Sequence, residues 1–315
     1  MNRFCLTLFL IFIGHLMNAQ TREKGPWWPH EKWGPEDETG ASNWITPETM
    51  LKALQIVKEG KVYELGHVYE KGMPLVGERS YNMYIPSWPT YGPFDEVIYM
   101  DDFVTTEIGQ VGTQYDGPGH VGKLVRMEDG STKEVFYNGF NTDDIKGPYG
   151  LKKLGIENVK PIVARGILVD LAAYKNLDQL EAGYMVTMDD VRSTLKAQEI
   201  KEESIEPGDV LLFNFGWWQK WPDLSVLENT PYLSKEVVEW IRDKNPSMVG
   251  SDCNLDGGNI PYVHTILTLE NGIGNLESMK FDKITEDKVY NFLFIFTPLR
   301  FKGGTGSPGR PIAIY

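Results

Sequence analysis

The chain has 315 residues, is 41% hydrophobic and 12% aromatic, and carries a formal net charge of −13. That length and apolar content suffice to bury one sizeable core and exclude a disordered chain. The acidic balance argues against nucleic acid or an anionic lipid surface as partner, because both need a basic face.

Residues 1–20 read as an export signal, with a positive start at Arg3, an apolar run from Leu6 to Ile13 and the small Ala19 before Gln20. The run is too short to span a bilayer. The expected location is periplasmic or secreted, with residues 21–315 as the folded domain and no membrane partner once the signal is removed. Cys5 falls inside the signal, which leaves Cys253 alone and rules out an internal disulfide.

Residues 21–45 are rich in Trp, Pro and Gly and read as an irregular arm. Thr46-Pro47-Glu48 starts a helix, capped by Thr46, with Met50, Leu51, Leu54 and Val57 as its buried face and Gly60 as its end. Val62–Leu65 reads as a short strand. Residues 76–94 carry Tyr81, Tyr84, Trp88 and Tyr91 among prolines, as a pocket wall or as a cover over the core edge. Glu96–Glu107 reads as strands. Further strands are expected over Ile162–Asp170, Val210–Phe215, Met248–Asp252, Tyr290–Thr297 and Pro311–Tyr315. Helices are expected after Thr187, with Asp190 completing a capping box, and after Ser234, stopping at Asn245-Pro246. Between Ile266 and Leu269 a short helix is expected, followed by a turn at Asn271-Gly272 and then Glu277. The alternation of strands and helices without a linker predicts a single α/β domain with mixed sheets.

Chemistry concentrates in Gly109-Gln110-Val111-Gly112-Thr113-Gln114-Tyr115-Asp116-Gly117-Pro118-Gly119-His120. Its glycines allow tight turns and close approach, and it brings a carboxylate, an imidazole and two amides together. Beyond residue 20 the histidines are His30, His67, His120 and His264. His30 and His67 read as structural. Histidine, carboxylate and further oxygen ligands form a recurrent divalent-metal set, so Asp116, His120, His264 and Glu277 are the candidates. Spacing alone leaves open whether each of these is a ligand or a hydrogen-bonded structural residue. Neither a nucleophile elbow nor a nucleotide-binding loop motif occurs.

The stretch Gln110–His120 resembles the HxGTHxDxPxH signature of the cyclase family, whose members include kynurenine formamidase and isatin hydrolase. Trp33–Glu38, Asn43, Thr46–Glu48, Gly60–Leu65, Gly72-Met73-Pro74, Pro207–Val210, Gly216-Trp217, Val249–Asp252, His264 and Asn271–Glu277 follow in family order. The resemblance implies a swivelling β/β/α fold, a homodimer or higher oligomer, and metal-dependent hydrolysis of an amide or lactone. It implies a metal held at Gln110, Gln114, Asp116, His264 and Glu277, with His120 as the catalytic proton shuttle. This chain is a longer variant that departs from the signature at Gln110 and Gln114, where the family has histidines. An amide oxygen is a hard, neutral ligand and a weaker one than imidazole for zinc, so either Mn²⁺ or Zn²⁺ is expected. Trp33, Tyr84 and Trp88 are candidates to bind a planar, aromatic or cyclic substrate. The competing reading is a catalytically silent small-molecule binding protein on the same fold.

Overall fold

The computed structural model describes residues 24–86, 89, 91–257 and 260–315. Residues 1–20, the expected export signal, and Trp88 therefore lie outside the described residues.

A nine-stranded mixed sheet organises the chain. In sequence order its strands are β1 (Val62–Glu64), β2 (Gln114–Asp116), β3 (Ile162–Asp170), β4 (Val210–Asn214), β5 (Met248–Ser251), β6 (Gly274–Glu277), β7 (Asn291–Phe296), β8 (Gly306–Pro308) and β9 (Ile312–Ile314). Their spatial order is β1-β9-β7-β3-β4-β5-β6-β2-β8. The central run β3-β4-β5-β6 is parallel, and the flanking pairs are antiparallel. Parallel strands are covered on both faces, which accounts for the unbroken apolar run Val210–Phe213. Alternate residues of β3 and β4 serve opposite cores. Ile167, Val169, Leu211 and Phe213 pack on one side, while Leu168, Val210 and Leu212 join Phe292, Phe294 and Phe296 on the other.

Three helices serve the sheet: α1 (Pro47–Leu54), and α2 (Met188–Ala197) and α3 (Lys235–Lys244), which close the first core. Thr187 accepts the Asp190 amide N–H at 3.3 Å and Asp190 accepts that of Thr187 at 2.9 Å, the reciprocal capping box expected from sequence. Asn245 ends α3 in the left-handed region, with φ 53°. α1 departs from expectation. It stops at Leu54, and its contact line runs through Met50 and Ala53. Leu51 and Leu54 lie one position further round and are exposed, because two turns of helix present only a narrow stripe to the sheet.

Residues 81–106 form two nested hairpins, Tyr81–Tyr84 with Phe103–Thr106 and Tyr91–Phe94 with Val97–Tyr99. The inner turn, Asp95-Glu96, has φ of 46° and 69°, the twist a two-residue hairpin loop needs although neither residue is glycine. Among the described aromatic residues here, Tyr81 is half-buried and packs edge-on against Tyr69, while the rest turn away from the core. Tyr84, Tyr91, Phe94 and Phe103 are exposed, because local pairing brings these strands only to each other.

Candidate active site

The site grows out of β2. Gly109 and Gly306 pass so closely that a Cβ on Gly306 would stand 2.6 Å from the Gly109 carbonyl oxygen and 2.9 Å from Gln110 Nε2. Gly112, at φ +62°, then turns the chain into β2. In register, Asp116 faces Asn275 and Gln114 faces Glu277 across the β2–β6 pair. Directly opposed residues share a face, so these four polar side chains stand together on one side of the sheet. Tyr115 and Leu276, between them, point into the core beneath.

Asp116 is 1% exposed. Its Oδ1 accepts Gln110 Nε2 at 3.1 Å and lies 3.8 Å from His120 Nε2. Its Oδ2 is buried with no hydrogen-bond partner and stands 3.6 Å from His264 Nε2. Asp116, His120 and His264 each offer an atom within 4.8 Å of the others, a set able to hold a metal ion. Buried acceptors without partners are rare in folded proteins, and Asp116 Oδ2 and Asn275 Oδ1 are two on this one face. A carboxylate and two imidazoles around an orphaned oxygen fit a divalent ion.

The electrostatics follow from crowding acids and imidazoles around the buried Asp116 carboxylate. Burial pushes Asp116 up, but His120 and His264 more than offset it and hold the carboxyl below its usual value. Burial and then the Asp116 charge push Glu277 up to about 7. Burial draws His264 down, yet Asp116 and Asp256 outweigh it and carry the imidazole up to about 11. Burial lowers His120, and Asp116 only partly restores it.

Sequence reasoning placed Asp116, His120, His264 and Glu277 together, and the structure brings them to one place. Gln110 uses its amide hydrogen on Asp116. Gln114 is buried on the same face. Glu277 shares that face and accepts Asn275 Nδ2 at 2.8 Å, but lies outside the three-residue cluster. Trp33 sits in the amino-terminal arm, edge-on to Trp44 at 5.2 Å and stacked with His30. Tyr84 is 51% exposed on the outer hairpin. His30 is structural as expected: its Nδ1 accepts the amide hydrogens of Lys32 and Trp33. His67 stacks on Trp221 with centroids 4.3 Å apart. Three polar residues of this region escaped the sequence reading. Arg79 donates to the Gln110 carbonyl at 3.0 Å, Asp256 contacts His264, and Asn275 faces Asp116. Only Asn275 carried a signal, since the alternation Asn275–Leu276–Glu277 puts both polar residues on one face of a strand.

The fold and the site define a parallel-centred α/β protein with an ion-competent Asp–His–His cluster, its carboxylate buried, at the antiparallel rim of the sheet. The sequence matches the family model of the putative cyclases over residues 63–255, more than half its length, and the chain belongs to the cyclase family. A crystal structure of a novel cyclase superposes with a TM-score of 0.78 at 29% identity, covering 90% of this chain and 98% of that one. Isatin hydrolase A from Ralstonia solanacearum shares the fold with a TM-score of 0.57 at 19% identity, over 81% of this chain and 92% of its own. An isatin hydrolase bound to the product analogue thioisatinate does so at 0.55 and 16%, over 85% and 98%. No curated protein sequence matches the chain. Among the described residues no helix is long and apolar enough to cross a membrane.

Proposed function

We propose that this chain is an exported, metal-dependent hydrolase that opens an amide or lactone bond in a small cyclic or aromatic substrate. The observation that carries the reading is the orphaned Asp116 Oδ2, buried 3.6 Å from His264 Nε2 in a cluster that includes His120. Membership of the cyclase family and a fold shared with isatin hydrolases, which by name act on a cyclic amide, support the bond type.

A divalent ion, Mn²⁺ or Zn²⁺, held by Asp116 Oδ2 and His264 Nε2 would polarise a carbonyl and draw the pKa of a bound water toward ~7. The chain's own groups do the rest. Gln110 pins Asp116 Oδ1, so the other oxygen faces the pocket. His120, kept neutral near pH 7 by burial, is placed to take a proton from the attacking water and pass it to the leaving nitrogen or oxygen. Asn275 Oδ1 offers a buried acceptor on the same face. Exposed apolar side chains on the hairpins of residues 81–106 support a homodimer or larger homo-oligomer.

Metal analysis of protein purified without chelator, with hydrolysis of isatin followed in parallel, tests the proposal. About one Mn²⁺ or Zn²⁺ per chain is expected. Content far below that, with no activity restored by either ion, would make the chain a silent binding protein. His120→Ala is expected to keep the ion and lose turnover by about 10²–10⁴-fold, the usual worth of general acid–base catalysis. Loss of the ion instead would make His120 a ligand, a role its place in the cluster permits.

A further inference from the structure

We propose that Asp256 is a positioning residue that locks the ring of His264, so that Nε2 faces Asp116 Oδ2. The inference rests on the reading that Asp116 and His264 hold an ion. It concerns a residue that takes no part in the cluster itself.

Asp256 and His264 are eight residues apart in the chain. Asp256 Oδ2 lies 2.5 Å from His264 Nδ1 and accepts the His264 amide N–H at 3.1 Å. Its Oδ1 accepts the Val263 amide N–H at 2.7 Å. One carboxylate thus holds both the ring and the first two amides of the helix Val263–Glu270. Those amides have no acceptor inside their own helix, and the positive end of the helix favours an anion there. Both amide N–H groups donate to this carboxylate, so it is placed as an acceptor for the ring as well, which puts the shared hydrogen on Nδ1. Nε2 is then the nitrogen turned toward Asp116, and its lone pair becomes available when an ion displaces a proton there. A hydrogen-bonded carboxylate behind a ligating imidazole also raises the basicity of the ring and removes its rotational freedom.

The geometry makes an amide a poor substitute. Asparagine presents one accepting oxygen where Asp256 satisfies three N–H groups with two. Its NH₂ must face either the Val263 amide or the side occupied by the imidazole, so one anchor is lost.

The test uses the full chain, with MnCl₂ and ZnCl₂ as probes. Proton NMR of the metal-free wild type should show a far-downfield imidazole N–H resonance from His264, absent in Asp256→Asn. The variant should bind Mn²⁺ and Zn²⁺ about 10–100-fold more weakly, the usual cost of removing such a partner. Wild-type affinity in Asp256→Asn, or no downfield resonance in the wild type, would overturn the assignment. The resonance is read from the wild type, so the test survives a variant that folds poorly. It also separates the two readings. If the wild type binds neither ion, the metal reading fails, and the resonance with its loss in Asp256→Asn still decides whether Asp256 holds the ring.

Discussion

Two β-rich regions of this molecule have similar strand-forming composition and opposite surroundings. In β3 and β4, Ile167, Leu168, Val169, Leu211, Leu212 and Phe213 are fully buried. In the hairpins of residues 81–106, Met83, Tyr84, Tyr91, Phe94, Val97, Ile98, Tyr99 and Phe103 are all exposed. The first region pairs across long sequence separations and is covered by helices on one face and, on the other, by Ile156, Val159, Phe281 and Ile284 from outside the sheet. The second pairs only with itself. Strand propensity makes the backbone ladder in both, but burial depends on neighbours that only the rest of the fold, or another molecule, provides.

The comparison breaks most sharply at the level of stability. Phe294→Ala is expected to cost about 3–5 kcal/mol, because it removes a fully buried ring and leaves a cavity. Phe103→Ala should change the unfolding free energy by no more than about 0.5 kcal/mol when measured on the monomer, since its ring is already half in water. Urea midpoints check both, and equal losses would mean that the hairpins are buried in solution.

A smaller effect sharpens the same contrast. The segment 81–106 contains Asp95, Glu96, Asp101 and Asp102 but no Lys or Arg, so its apolar faces are edged by negative charge alone. If these faces join copies of the chain, replacing Phe94, Tyr99 and Phe103 together by Ser should lower the mass measured by light scattering to that of one chain. The core should stay intact. An unchanged mass would place the oligomer contact elsewhere.

A pH-dependent effect lies at the foot of β4. Burial pushes Asp209 up to about 6, and the Glu206 amide N–H and Arg165 offset only part of this. Its folded value stands above its usual 3.8, so the folded chain holds an extra proton between the two. Its contribution to stability is therefore present below about pH 4 and is lost as the pH rises through about 6. Asp209→Asn should gain stability relative to wild type between pH 4 and 7, seen as diverging urea midpoints. Parallel midpoints would sink the assignment.

The candidate site was only partly legible in the sequence. Asp116, His120, His264 and Glu277 were proposed from their motifs and the resemblance those motifs carry, and the structure clusters the first three. Gln110 was read as a ligand in place of histidine, but its hydrogen bond to Asp116 could not be seen before Gly109 and Gly306 were placed side by side. Asp256 sits in a loop without any periodic signal, and only the start of the helix at Val263 gives it work. The aromatic loop was read as a wall or a cover, because counting aromatics says nothing about which way a hairpin projects.

The sequence by itself determined the capped helices at Thr187 and Ser234, the buried strands β3, β4 and β7, the family, and the residue types of the site. These rest on local rules such as cap hydrogen bonds, apolar periodicity and the chemistry of a short motif. Only the tertiary structure decided that β6 lies against β2 with Asn275 opposite Asp116, that one oxygen of Asp116 is left without a partner, and that Asp256 reaches His264. Those are contacts between residues of different segments, set by sheet register and core packing rather than by any local preference.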